Sequence, residues 1–136
     1  FPDNRLAIVD YKTGTTPSAK AVRAGYSLQL GLLGLIAERG VFPDTAGTAA
    51  AFEYWSLPKR RKGDGFGFVD SPAADGNARK IPFDSFVGLA ADNFADVAGR
   101  WLTGTDAFTA KLHPEYAPYA DYDQLMRLDE WYGRDG

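Results

Sequence analysis

The sequence predicts an α/β domain. Two observations support this class: short runs rich in β-branched or aromatic residues that stop at Gly or Pro, and two long stretches with apolar residues at helical spacing. At 136 residues, the chain has room for one hydrophobic core but not for two. Its 45% hydrophobic and 24% charged residues are close to the averages of globular domains. We therefore expect one packed unit over 1–136.

The first half of the chain predicts a strand followed by a long helix. The strand covers 5–12, where a β-branched centre runs into a Gly-containing turn. The helix covers 17–39, with Thr16 as its N-cap, Pro17 in its first turn and Gly40 at its end. Its apolar residues occupy more than one face, so we expect it to be buried on two sides.

The second half predicts four more elements. An aromatic-rich strand over 48–57 ends at Pro58, and a short strand over 66–69 returns beside it. A helix over 82–102 has apolar residues at a period near four, and a short helix over 122–132 closes the chain.

Composition excludes several classes of site. The chain has no cysteine, which excludes disulfides, thiolate zinc sites, cysteine nucleophiles and an iron-sulfur cluster held within this segment. A single histidine, His113, excludes a multi-histidine metal site. No apolar run approaches the roughly 18 residues that a membrane span requires, so no membrane association is expected.

The charge distribution restricts how the chain could bind DNA. Its net charge is −3, so there is no global basic field, and any DNA contact must come from a local patch. The candidates are the consecutive cations Lys59, Arg60, Arg61 and Lys62. Clustered cations can bind phosphates, although a solvated turn between two strands explains the same run.

The triplet Asp10-Tyr11-Lys12 is the sharpest motif. Side chains two apart on a strand project to the same face, about 6 to 7 Å apart along it, so Asp10 and Lys12 should point together while Tyr11 enters the core. Metal-assisted phosphodiester hydrolysis needs such a pair: the carboxylate binds Mg²⁺, and the amine orients the attacking water or stabilises developing charge. The alternative is an ion pair on the edge of a strand.

The neighbourhood of this triplet resembles a known family. The residues that carry the resemblance are Ile8-Val9-Asp10-Tyr11-Lys12-Thr13-Gly14, then Pro17-Ser18, then Val22, Gly25, Gln29 and Leu30. They are similar to the RecB-like branch of the PD-(D/E)XK nucleases, and most similar to the C-terminal nuclease domain of AddB-type subunits of bacterial helicase-nuclease complexes. The resemblance implies a restriction-endonuclease-like core, which is a mixed sheet flanked by helices.

It also implies a site and its partners. Asp10 and the backbone carbonyl of Tyr11 would bind Mg²⁺ or Mn²⁺, Lys12 would be catalytic, and Gln29 on the next helix would support the site. The substrate would be DNA, and the partner an AddA-like subunit in double-strand break repair. The location would be the bacterial cytoplasm, close to the nucleoid.

The sequence departs from the family pattern in two places. The family's Gln-x-x-x-Tyr signature has Leu33 in place of Tyr, which can pack but cannot donate a hydrogen bond. The family also places a metal-binding carboxylate on the strand before Asp10, whereas only nine residues precede Asp10 here. We therefore expect a nuclease domain that is incomplete at its N-terminus, inactive or nearly so by itself, and prone to self-association.

Three interpretations follow from the sequence. The first is a metal-dependent DNA nuclease module, which the Asp10 and Lys12 pair favours. The second is a non-catalytic module that uses the nuclease fold to bind DNA or to dock a partner subunit, which Leu33 and the negative charge favour. The third is an unrelated α/β domain in which Asp-x-Lys occurs by chance.

Overall fold

A computed structural model describes residues 1–59, 66–107 and 116 of the chain. The elements in chain order are β1 (Arg5–Lys12), α1 (Ala19–Arg23), α2 (Gln29–Glu38), β2 (Thr48–Lys59), β3 (Phe66–Asp70), α3 (Phe83–Val97) and a π-helical turn (Ala98–Leu102). The three strands form one sheet in the order β1-β2-β3.

The sheet is mixed, as the sequence predicted. β1 and β2 are parallel, and the connection between them contains α1 and α2, because parallel neighbours require a crossover. β2 and β3 are antiparallel. Asp10 is aligned with Tyr54 across the β1-β2 ladder, and Tyr54 is aligned with Asp70 across the β2-β3 ladder. These three residues therefore form one row across the sheet.

The core lies between one face of the sheet and the helices α2 and α3. Phe52 and Phe86 are almost fully buried, and their rings stack with centroids 4.1 Å apart. Leu30 and Ile81 complete the centre of this cluster. A Cβ added at Gly31 would lie 2.3 Å from the Cβ of Ala90, so the two helices approach at a distance that only glycine permits.

The predicted helix over 17–39 is wrong, because the chain forms two helices there. α1 ends at Arg23, and Gly25 follows it with a φ of +79°. The backbone N–H of Gly25 donates to the carbonyl of Val22, and the N–H of Tyr26 donates to that of Ala21, which is the Schellman termination. Glycine acts here as a helix stop, and α2 starts anew at Gln29.

The start of α1 also differs from the prediction. Ser18 is the N-cap, and its Oγ accepts a hydrogen bond from the N–H of Ala21. Thr16, the predicted cap, donates instead to the carboxylate of Asp70 at 2.9 Å. The segment between β1 and α1 is thereby attached to β3.

Three further boundaries are corrected. β2 continues past Pro58 to Lys59. The register between β2 and β3 shifts between Ser56 and Lys59, because the proline between them has no N–H to donate to the ladder. β3 extends to Asp70, and the predicted helix over 82–102 ends at Val97 and continues as the π-helical turn. The predicted helix over 122–132 lies outside the described residues.

The second face of the sheet has a different character. Tyr11 was expected in the core, but its side chain is 63% exposed, and it contacts the half-exposed ring of Trp55 edge-on. Val69, aligned with Trp55 on the next strand, is exposed as well. Within the described ranges, α2 and α3 cover only the face opposite to Tyr11, which explains the wrong expectation.

In the part of the chain that is described, every helix is too short or too polar to cross a lipid bilayer.

Candidate active site

Asp10 and Lys12 lie together on the helix-covered face of β1, near the end of the strand. The Nζ of Lys12 is 2.8 Å from the Oδ2 of Asp10. The side chain of Asp10 is only 15% exposed and that of Lys12 is 27% exposed, so the pair is partly shielded from water. The period of two along a strand produces this arrangement, as the sequence predicted.

Gln29 closes a triangle with this pair. Its Nε2 donates to the Oδ1 of Asp10 at 3.2 Å, and its Oε1 accepts a hydrogen bond from the Nζ of Lys12 at 3.2 Å. Gln29 reaches both groups because it is the first residue of α2. If the helix had continued through Gly25 without a break, this residue would lie in the middle of a helix. The helix stop at Gly25 therefore helps to build the site.

Tyr54 lies beneath the triangle, and the sequence did not single it out. The Nζ of Lys12 is 5.6 Å from the centre of its ring, which favours the ammonium charge. Its side chain is fully buried. Burial raises the pKa of Tyr54, the nearby Ser27 hydroxyl acts against this, and the carboxylates of Asp10 and Asp70 raise the pKa further. Tyr54 is therefore a neutral phenol.

Three buried oxygen atoms at this site receive or make no well-aligned hydrogen bond with the described residues. They are the Oδ2 of Asp10, the hydroxyl of Tyr54 and the Oγ of Ser56. For Asp10, the contact with Lys12 is close but poorly aligned, so the attraction is ionic and the lone pairs remain available. Ser56 is aligned with Lys12 across the β1-β2 ladder. Buried polar atoms without partners are rare and mark places where a ligand can bind.

The oxygen donors present fit a hard divalent cation in type but not in number. Mg²⁺ prefers carboxylate and carbonyl oxygen, which Asp10 and the backbone of Tyr11 can supply. Among residues 1–59, 66–107 and 116, no three His, Cys, Asp or Glu side chains cluster to hold a metal. A metal bound here would find only part of its coordination shell in the described residues, and further ligands or water molecules would have to complete it.

The predicted DNA-contact run begins at Lys59, the last residue of β2. Arg60, Arg61 and Lys62 lie outside the described residues, so their role stays a prediction. Leu33, in place of the expected Tyr, is half-buried on α2.

The fold and the site together define a restriction-endonuclease-like α/β domain, in which a mixed sheet presents an Asp-x-Lys pair at the end of a strand. A family model described as the PD-(D/E)XK nuclease superfamily matches residues 1–123, and the chain belongs to this superfamily. No significant match was found among curated proteins or among solved structures.

Proposed function

We propose that this chain is the catalytic part of a metal-dependent DNA nuclease that hydrolyses phosphodiester bonds. Members of its superfamily are generally nucleases and typically depend on divalent metals. The observation that carries the proposal is the closed triangle of Asp10, Lys12 and Gln29, in which every side chain is held by the other two. Rigidly held charges accelerate reactions because they need no rearrangement in the transition state.

Each residue of the triangle has a role. Asp10, with the backbone carbonyl of Tyr11, would hold Mg²⁺ or Mn²⁺. Such a metal would supply Lewis-acid activation of the phosphodiester and of water. An ammonium group has three N–H donors. In Lys12 one of these donates to Gln29, while the contact with Asp10 is ionic, so donors remain for the attacking water or a phosphate oxygen. Gln29 fixes the relative orientation of the carboxylate and the ammonium.

The metal should bind weakly to the described residues alone. One carboxylate and one carbonyl provide only two of the six well-placed oxygens that Mg²⁺ demands. Full activity would therefore need further oxygen ligands, from residues outside the described ranges or from water molecules.

The proposal extends to a biological setting. The residues from Ile8 to Gly14, together with Gln29, support a RecB-like nuclease of the AddB type. Such a module would act on DNA ends in double-strand break repair, beside an AddA-like helicase-nuclease subunit, in the bacterial cytoplasm. It would act as an exonuclease.

Metal-dependent cleavage tests the proposal. Linear single-stranded and duplex DNA are incubated with Mg²⁺ or Mn²⁺ and the full-length protein that contains this chain, and cleavage is followed by gel electrophoresis. Lys12→Ala and Asp10→Asn should each reduce the rate by about 10²- to 10³-fold, the usual effect of removing one group that stabilises transition-state charge.

Two control variants remove the same kinds of charge elsewhere. Asp92→Asn changes an exposed carboxylate on α3, and Arg39→Gln changes an exposed cation after α2. Both should cleave DNA at the wild-type rate. Robust cleavage by Lys12→Ala would contradict the proposal.

A non-catalytic module is the second candidate. Leu33 cannot make the hydrogen bond that the family signature provides, and the net charge of −3 does not attract DNA as a whole. In that case the full-length protein would bind DNA or a partner subunit without cleaving DNA under any metal condition.

A further inference from the structure

A groove with positively charged walls lies at the Asp70 end of the Asp10-Tyr54-Asp70 row. It has a volume of about 510 Å³, within the roughly 300–1,000 Å³ of clefts that hold ligands. Its lining includes four cationic side chains and one carboxylate: Lys20, Arg23, Arg79, Lys80 and Asp70. The groove therefore carries a net positive charge in a chain whose total charge is −3. It is a local basic patch of the kind that DNA binding by this chain requires.

Hydrogen bonds hold the two walls of the groove together. Arg23 on α1 donates from Nη2 to the backbone carbonyl of Lys80 at 2.9 Å. Lys80 donates to the carbonyl of Ser71 at 2.5 Å and to Asp70 at 3.3 Å. Thr16 donates to the other oxygen of Asp70. The walls are thereby fixed before any ligand binds, and the cost of ordering them on binding is small.

Two of the cations are directed to solvent. Lys20 and Arg79 are both exposed, and none of the ion pairs found in the described ranges involves either of them. Lys80, in contrast, forms an ion pair with Asp70. Lys20 and Arg79 are therefore the groups best placed to contact an anionic ligand.

Aromatic side chains adjoin the groove at Lys20. The Nζ of Lys20 lies 6.0 Å from the centre of the Tyr116 ring, and this ring packs against Tyr26 with centroids 5.4 Å apart. Tyr26 is 46% exposed. Cations along a groove with aromatic rings beside them are typical of surfaces that bind single-stranded nucleic acid, because unpaired bases stack on the rings. Duplex DNA offers no free base face for this contact.

One row of residues across the sheet connects the groove with the candidate active site. Asp70 lines the groove, and Asp10 lies two strands away in the same cross-strand row. Neighbouring strands are about 4.8 Å apart, which places these residues about 10 Å apart.

We propose that this groove binds the phosphate backbone of a single DNA strand and leads that strand to Asp10 and Lys12. The inference rests on the proposed nuclease function, since it assigns the path of the substrate. Lys20 and Arg79 contact phosphates, Arg23 and Lys80 form the fixed walls, and Tyr26 stacks on a base.

DNA binding without cleavage tests the groove. Fluorescence anisotropy measures the affinity of the full chain for a labelled 15-nucleotide single strand in EDTA, over a series of salt concentrations. The double variant Lys20→Gln/Arg79→Gln should bind about tenfold more weakly at low salt. Its slope of log affinity against log salt should fall by about 1.4, since each lost phosphate contact on a single strand is worth about 0.7. Tyr26→Ala should bind about tenfold more weakly with an unchanged slope, because stacking releases no counterions.

The matched control is Arg5→Gln/Arg39→Gln. It removes two exposed cations at the start of β1 and the end of α2, away from the groove. It should retain the wild-type affinity and salt slope. Circular dichroism would confirm that all the variants are folded.

Three outcomes would overturn the inference. The first is a control that loses as much affinity as the groove variant, which would show a general charge effect. The other two are a groove variant that binds the single strand as tightly as the wild type and loses affinity only for duplex DNA, or only for inorganic phosphate in a competition assay. Failure of the nuclease proposal gives a different pattern, in which the groove variants lose strand binding but the wild-type full-length protein never cleaves DNA.

Discussion

The two faces of the sheet differ sharply, although the same strands form both. On the helix-covered face, Asp10 and Lys12 are joined to Gln29 above a buried Tyr54. On the other face, Tyr11 and Trp55 are exposed to solvent. Adjacent residues thus differ completely in environment, because successive side chains on a strand point to opposite faces. The buried core and the proposed catalytic residues therefore lie on the same face of the sheet.

Truncation of an aromatic residue on each face should show the largest difference. Phe52→Ala removes a ring that is fully buried and stacked on Phe86, which should lower the free energy of unfolding by about 3–5 kcal/mol. Trp55→Ala on the other face removes a half-exposed ring and should cost less than about 1.5 kcal/mol. Urea unfolding followed by circular dichroism measures both values. Equal losses would show that the second face is also buried in solution.

The next effect is catalytic and concerns Gln29. Gln29→Ala removes the donor to Asp10 and the acceptor for Lys12, so both charged groups lose their fixed orientation. The rate of DNA cleavage by the full-length protein should fall by about tenfold, the free-energy equivalent of one net hydrogen bond. The concentration of Mg²⁺ that gives half-maximal rate should rise, which a purely structural role would not produce.

Tyr11→Ala is the matched variant on the opposite face. It keeps the backbone carbonyl that is proposed to bind metal and removes only an exposed ring. Its cleavage rate should stay within about twofold of the wild type, because its side chain does not reach the triangle. A loss as large as that of Gln29→Ala would assign a function to the exposed face.

The sequence predicted the parts of the fold that depend on local patterns. β1 has the predicted bounds, because a β-branched run beside a Gly-containing turn specifies a strand without help from distant residues. The shared face of Asp10 and Lys12 follows from the same period of two. The superfamily that these residues indicated is confirmed by the family model that matches residues 1–123. The roles of Asp10, Lys12 and Gln29 in catalysis stay predictions.

The rest depended on contacts between distant residues. No local pattern marks Gly25 as the end of a helix, and a Cβ added at this glycine would lie 3.2 Å from the Cγ of Asn93 on α3. Tyr54 was recognised only as part of an aromatic strand. Its place beside Lys12 follows from the register between β1 and β2, which no local pattern specifies. The groove required Arg79 and Lys80 to meet Lys20 and Arg23, which are about sixty residues earlier in the chain.

The smallest effect concerns the hydroxyl of Tyr54. Tyr54→Phe removes a buried hydroxyl that makes no well-aligned hydrogen bond with the described residues, so at neutral pH the free energy of unfolding should change by less than about 1 kcal/mol. At high pH the two proteins should diverge. The pKa of Tyr54 is raised by burial above that of an unfolded tyrosine, about 10, so the unfolded chain loses this proton first and the wild type loses stability as pH rises above about 10. The Phe variant lacks this loss. Urea unfolding of both proteins at pH 8 and pH 10.5 would measure this loss. A parallel decline in the two proteins would show that the hydroxyl of Tyr54 is accessible to water, and this face of the sheet would then resemble the exposed face of Tyr11.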